Sequence, residues 1–221
     1  MKRNYTSIVV CILILSVFIS GCKTNNETTA QGDQNLEKYA GYTASYLYEA
    51  IGYIYFFSST ILYSEILSIL LTYNNSTGYW SINKTTPLGY TIDVRIQFKD
   101  GAGNVQKYYN LTTTNTITTE GTITGPEGSV TFNITMTGLT PNSNIYTTNG
   151  NGTSSYLGYN GSFEINNLQM SKQEDVYPES GTIIVTSGGQ TVTITFNGTD
   201  TATGTYSVAG ATITFRVNLT T

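Results

Sequence analysis

The stretch LGYTIDVRIQF, residues 88–98, decides the fold. Leu88, Tyr90, Ile92, Val94, Ile96 and Phe98 alternate without a miss against Gly89, Thr91, Asp93, Arg95 and Gln97. A period of two is a strand with one buried and one wet face, so Val94 is placed inside and Gln97 outside. Downstream, KDGAGN at 99–104 turns the chain, and Val105, Tyr109 and Leu111 lead back, with Lys107 the exception on that face. Residues 116–124 read as a weaker strand, Gly125-Pro126-Glu127-Gly128 as a turn, and Val130, Phe132, Ile134 and Met136 as the next strand. Residues 141–155, rich in Asn, Gly and Ser, read as a mobile loop. Tyr159, Phe163 and Ile165 resume the pattern. The segments 181–186, 191–197, 201–208 and 211–219 form two hairpins that turn at Ser187-Gly188-Gly189 and Ala209-Gly210. About nine short strands separated by turn residues predict an antiparallel, mainly β body.

Upstream of this body, residues 36–73 carry the long helical pattern. Leu36, Tyr39, Thr43, Tyr46, Leu47, Ala50, Ile51, Ile54, Ile61 and Leu62 recur at helical spacing. Gly41, Gly52 and Ser58-Ser59-Thr60 weaken it, and residues 74–78 end it. From Ala50 to Leu71 the one charge is Glu65, and apolar residues fall on every side. Such a helix is either enclosed by protein or inserted in a membrane. Glu65, three Tyr and five Ser or Thr in this segment favour enclosure. The predicted architecture is therefore a curved antiparallel meander, a half-barrel or open barrel, around one long or broken N-terminal helix. The domain spans 36–221, helical over 36–73 and antiparallel β over 79–221.

The chain opens with Lys2 and Arg3, then an apolar run from Ile8 to Ile19 broken only by Ser16. That run is too short to span a bilayer, which takes ~20 residues, and it reads as a secretory signal over residues 1–21. Ile19-Ser20-Gly21-Cys22 resembles the bacterial lipobox. The resemblance implies a diacylglyceryl thioether on Cys22, cleavage before it, and a membrane-anchored envelope lipoprotein. Lys23 after the Cys, rather than Asp, implies the outer membrane if the cell has one. Residues 22–35 would be the lipidated Cys and a disordered tether, since 23–35 hold no apolar residue larger than Ala. The helix-then-meander layout is similar to that of lipoprotein carriers and related lipid-binding half-barrel lipoproteins, by architecture rather than by motif. Tyr177-Pro178-Glu179-Ser180-Gly181 and the Thr-rich hairpins after it resemble the endings of uncharacterised envelope lipoproteins, which implies no activity.

Removing residues 1–21 takes away two of the 10 basic residues and none of the 14 acidic ones, leaving a net charge of −6 on 200 residues. An acidic, charge-poor chain does not suit nucleic acid. There is no His, so the Ser-His-Asp and Cys-His systems are excluded and the commonest metal ligand is missing. Cys11 leaves with the signal and Cys22 is spent on lipid, which removes disulfide and thiolate metal sites. No cofactor, metal or enzymatic activity is expected. Glu174, Asp175 and Glu179 read as a solvated acidic turn, and Asp93 and Arg95 as members of cross-strand ion pairs on a polar face. Ranks of Thr at 191/193/195, 201/203/205 and 212/214 read as outward strand residues.

Tyr39, Tyr42 and Tyr46 share one helical face and, with Ile54 and Phe57, are the candidate lining of a ligand cavity; the alternative is packing with satisfied hydroxyls. Two functions remain in play. One is a non-catalytic envelope protein acting through its surface, in structure, adhesion or assembly. The other is a carrier or sensor of a lipid or other hydrophobic ligand held between helix and sheet.

Overall fold

The computed structural model describes residues 33–61, 71–87, 89–126, 128–156, 158–172 and 177–219, apart from the side chains of residues 49, 53 and 56–61. Cys22, residues 23–32 of the tether, residues 62–70 with Leu62 and Glu65, Leu88, the pair Glu174 and Asp175, and the side chain of Phe57 therefore lie outside the described residues. Gln34 and Asn35, expected in the disordered tether, are already helical because the Asp33 side chain caps a helix there.

Among the described residues, one helix, α1 (Gln34–Ile61), precedes twelve strands. These are β1 (Thr72–Asn74), β2 (Tyr79–Thr85), β3 (Thr91–Asp100), β4 (Val105–Gln106), β5 (Thr114–Gly125) and β6 (Gly128–Thr137), followed by β7 (Ile145–Tyr156), β8 (Tyr159–Ser171), β9 (Ser180–Ser187), β10 (Gln190–Thr195), β11 (Thr201–Val208) and β12 (Ala211–Asn218). They form one open antiparallel sheet in the order β1-β2-β3-β5-β6-β7-β8-β9-β10-β11-β12, with β4 paired to β3. Strands adjacent in sequence are adjacent in space almost throughout, as short turns dictate.

The Asp33 carboxylate caps α1, accepting from the backbone N–H groups of Asn35 and Leu36 at 3.1 and 3.2 Å. Leu36, Tyr39, Ala40, Ala44, Leu47 and Ile51 join the apolar faces of the strands in one core. Burial on α1 is not confined to one stripe, because Glu37, Thr43, Ser45 and Tyr46 are buried as well. The helix packs against β7, β9, β10 and β12. No helix among the described residues is long and apolar enough to cross a membrane.

The alternation of residues 91–98 is borne out at Ile92, Val94, Ile96 and Phe98, all buried. Gln97 is not outside. It is buried, because its amide donates to the Thr77 carbonyl at 2.8 Å in the turn between β1 and β2, which folds over this end of β3. The helical reading of residues 36–73 overshoots at its end, where Thr72–Asn74 is strand β1, paired with Tyr79–Ser81. The return strand expected through Val105, Tyr109 and Leu111 is cut to the two residues of β4. Val105 and Leu111 are exposed, and only Tyr109 reaches the core, edge-on to Phe98. The Asn110 side chain accepts from the N–H of Thr112 and of Thr113, a local turn that competes with the ladder.

The largest correction concerns residues 141–155. The Asn/Gly/Ser-rich run is strand from Ile145 on, paired along both edges with β6 and β8. Its glycines answer to close packing: a Cβ on Gly152 would lie 2.0 Å from the Thr131 carbonyl oxygen and 2.5 Å from the Phe163 ring. Among the described residues, twelve strands replace the nine expected because β1, β2 and β7 join the sheet.

Candidate functional site

The three helical tyrosines are tied down in different ways. The Tyr39 hydroxyl lies 2.6 Å from Ser154 Oγ and 3.0 Å from the Ser154 carbonyl, and its ring stacks on Tyr159. Tyr42 stacks on Tyr156 with ring centroids 3.8 Å apart. Tyr46 is buried, and burial pushes its phenol well above the ordinary tyrosine range. Tyr42 and Tyr46 line a cavity of about 20 Å³ with Thr43, Ile123, Val130 and Ser154. That is room for about one water molecule. Tyr39 packs in the core beside it, and Ile54 is half-buried against the same core.

A larger depression lies on the opposite, wet face. It has a volume of about 480 Å³ and crosses β3, β5, β6 and β7. The register of the sheet builds it. Arg95 pairs with Glu120, Glu120 with Asn133, and Asn133 with Asn151, so one transverse row carries four long polar side chains. The next row runs from Asp93 to Thr122 to Thr131. Neighbouring strands stand ~4.8 Å apart, so residues in a row are neighbours without any loop to hold them. Between the rows lie Gly121, Phe132 and Gly152, paired in turn across β5, β6 and β7, and they complete the lining.

Arg95 Nε meets Glu120 Oε1 at 2.7 Å, and the guanidinium carbon sits 5.1 Å from the centre of the Tyr79 ring. Burial, and then the Glu120 carboxylate that accepts its hydrogen bond, push the Tyr79 phenol above its usual range. The Thr122 and Thr131 hydroxyls are 2.9 Å apart. Asp93, Thr131, Asn133 and Asn151 are exposed, while Glu120 and Thr122 are half-buried. The depression therefore holds carboxylates, amides, hydroxyls and one guanidinium already paired with a carboxylate.

Sequence reading placed Asp93 and Arg95 on this face and anticipated cross-strand pairing. It did not identify Glu120, Asn133 or Asn151. Glu120 sits in a Thr-rich strand with weak alternation, and Asn151 lies in a run whose composition reads as loop. Among the described residues no group of three His, Cys, Asp or Glu could hold a metal ion. No family model, curated protein or solved structure matches the chain.

Proposed function

We propose that this chain is a non-catalytic envelope lipoprotein that holds a partner on the outer face of its sheet. A lipid on Cys22 anchors it, the tether 23–32 lets the domain move clear of the headgroups, and the meander curves as a half-barrel around α1. In a diderm cell it belongs to the outer membrane. The observation that carries the surface reading is the 480 Å³ depression across β3, β5, β6 and β7, a volume within the ~300–1,000 Å³ of ligand sites. The surface is favoured over a carried lipid because the cavity at Tyr42 and Tyr46 has the volume of about one water, and because hydroxyls of Thr43, Ser45 and Ser154 are buried along that interface.

A photo-reactive residue in place of Thr131, in the full chain expressed in its own envelope, tests the reading. It is expected to form cross-linked adducts that the same residue in place of Thr203, outward on β11, does not form. Equal or absent adducts at the two positions would overturn the surface role. Mass spectrometry of the mature protein tests the anchor separately: a thioether-linked diacylglycerol is expected on Cys22, and Cys22→Ser should abolish it.

A further inference from the structure

We propose that the depression across β3, β5, β6 and β7 binds a neutral oligosaccharide, a ligand assignment that rests on the surface reading above. The chemistry of the lining selects this class. The carboxylates of Asp93 and Glu120 offer acceptors, the amides of Asn133 and Asn151 offer both donors and acceptors, and Thr122 and Thr131 add hydroxyls. Planar polar groups that donate and accept side by side match the vicinal hydroxyls of a pyranose, each of which also does both.

Charge excludes the competing small ligands. Two carboxylates against one guanidinium leave the lining with a formal charge of −1. The one cation that could receive an anionic ligand is already held at 2.7 Å by Glu120, so uronates, sialates and phosphates meet net repulsion. A cationic ligand would have to displace or lie against Arg95, whose side chain is 56% exposed over the site. A neutral polyol meets neither cost. Apolar ligands find little, because Phe132, the large apolar side chain of the lining, is 8% exposed.

Shape fits as well. The rows Arg95–Glu120–Asn133–Asn151 and Asp93–Thr122–Thr131 run across the strands, so the hydrogen-bonding groups repeat along a trough and do not converge on a point. A linear chain of sugar rings can lie along such a trough.

The test uses the full chain and a panel of neutral tri- to hexasaccharides of glucose, galactose, mannose and N-acetylglucosamine, beside uronate-containing and sialylated counterparts. Calorimetry should find at least one neutral member that binds, with the charged counterparts weaker. The Asn133→Ala/Asn151→Ala double variant should lose about tenfold or more in affinity with an unchanged circular dichroism spectrum and melting temperature. Thr203→Ala should bind as the parent does. In NMR spectra the side-chain amides of Asn133 and Asn151 should shift on addition of the binding sugar. Absence of binding by every neutral member, preference for the charged ones, or binding indifferent to the double variant would each overturn the proposal. If the Thr131 position still cross-links in the envelope, to protein only, while no sugar binds, the ligand class falls and the surface reading stands. If both fail, both fall.

Discussion

The Tyr206 hydroxyl donates to Glu37 Oε1 at 2.8 Å, joining residues 169 positions apart in the chain. The same oxygen accepts the backbone N–H of Asp33 at 2.7 Å. Strand β11 thus holds both the entry to α1 and the buried carboxylate in its first turn. Tyr206→Phe removes both bonds while keeping the ring against Phe215. A hydrogen bond to a charged group contributes ~1.5–3 kcal/mol, so this variant should lose about that much stability in urea unfolding. A loss within ~0.5 kcal/mol, the range of an inert surface change, would show that the pair does not hold helix to sheet.

Alkali should unfold this protein early. Burial, and then the hydrogen bond to Glu37, push the Tyr206 phenol up to about 12. Burial, and then the Tyr55 phenol, push Tyr109 up to about 12. Burial raises Tyr146 as well. In the unfolded chain these groups titrate near ~10. Below that pH both states keep their protons and the stability is fully present. Above it the unfolded chain releases protons that the folded one retains, so stability falls as pH rises from about 10 and is lost as it passes through about 12. Urea midpoints at about pH 8 and about pH 11 should differ, the second being lower. Tyrosinate absorbance should show a late-titrating group of phenols that ionises together with loss of the β signal. Equal midpoints would contradict the burial of these rings.

Gly152→Ala should be strongly destabilising. Its Cβ would lie 2.0 Å from the Thr131 carbonyl oxygen, a backbone atom fixed in the β6–β7 ladder. Overpacking of this kind costs ~1–3 kcal/mol or more. Retained stability would mean that β7 is not paired as described and that residues 141–155 are a loop after all.

Gln97→Ala and Thr131→Ala separate a buried polar residue from an exposed one. Gln97 fastens the β1–β2 turn through its bond to the Thr77 carbonyl, so losing it should cost ~1 kcal/mol or more. Thr131→Ala should stay within ~0.5 kcal/mol. Equal shifts of the urea midpoint would restore an outward Gln97.

Ala209 has φ +50 at the β11–β12 turn, beside Gly210 at +84. A left-handed residue with a Cβ is strained, and the two-residue hairpin requires that hand. Ala209→Gly should therefore stabilise the protein by ~0.5–1 kcal/mol, read as a higher melting temperature. A lower melting temperature would show that the entropy of glycine outweighs the strain.

Features that depend on neighbours along the chain are legible in the residues themselves. The period of two in residues 91–98 set the buried face of β3 at Ile92, Val94, Ile96 and Phe98. The hairpin of β11 and β12 was legible from its alternation and from Ala209-Gly210. The helix was legible from spacing, since Leu36, Tyr39, Leu47 and Ile51 recur at helical intervals and are buried together. Other features depend on residues far apart in sequence and emerge only when the strands align. Composition made Gly150 and Gly152 look like loop. They are strand because β6 and β8 pair with them on both edges, and glycine because the β6 backbone comes too near for a Cβ, facts that β7 by itself does not contain. Gln97 sits on the outward parity of its strand yet is buried, because the turn at Thr77 covers it. The depression arises from register alone. Arg95, Glu120, Asn133 and Asn151 are unremarkable in their own segments, and they form a row because hydrogen-bonded ladders align four strands whose side chains then share one face.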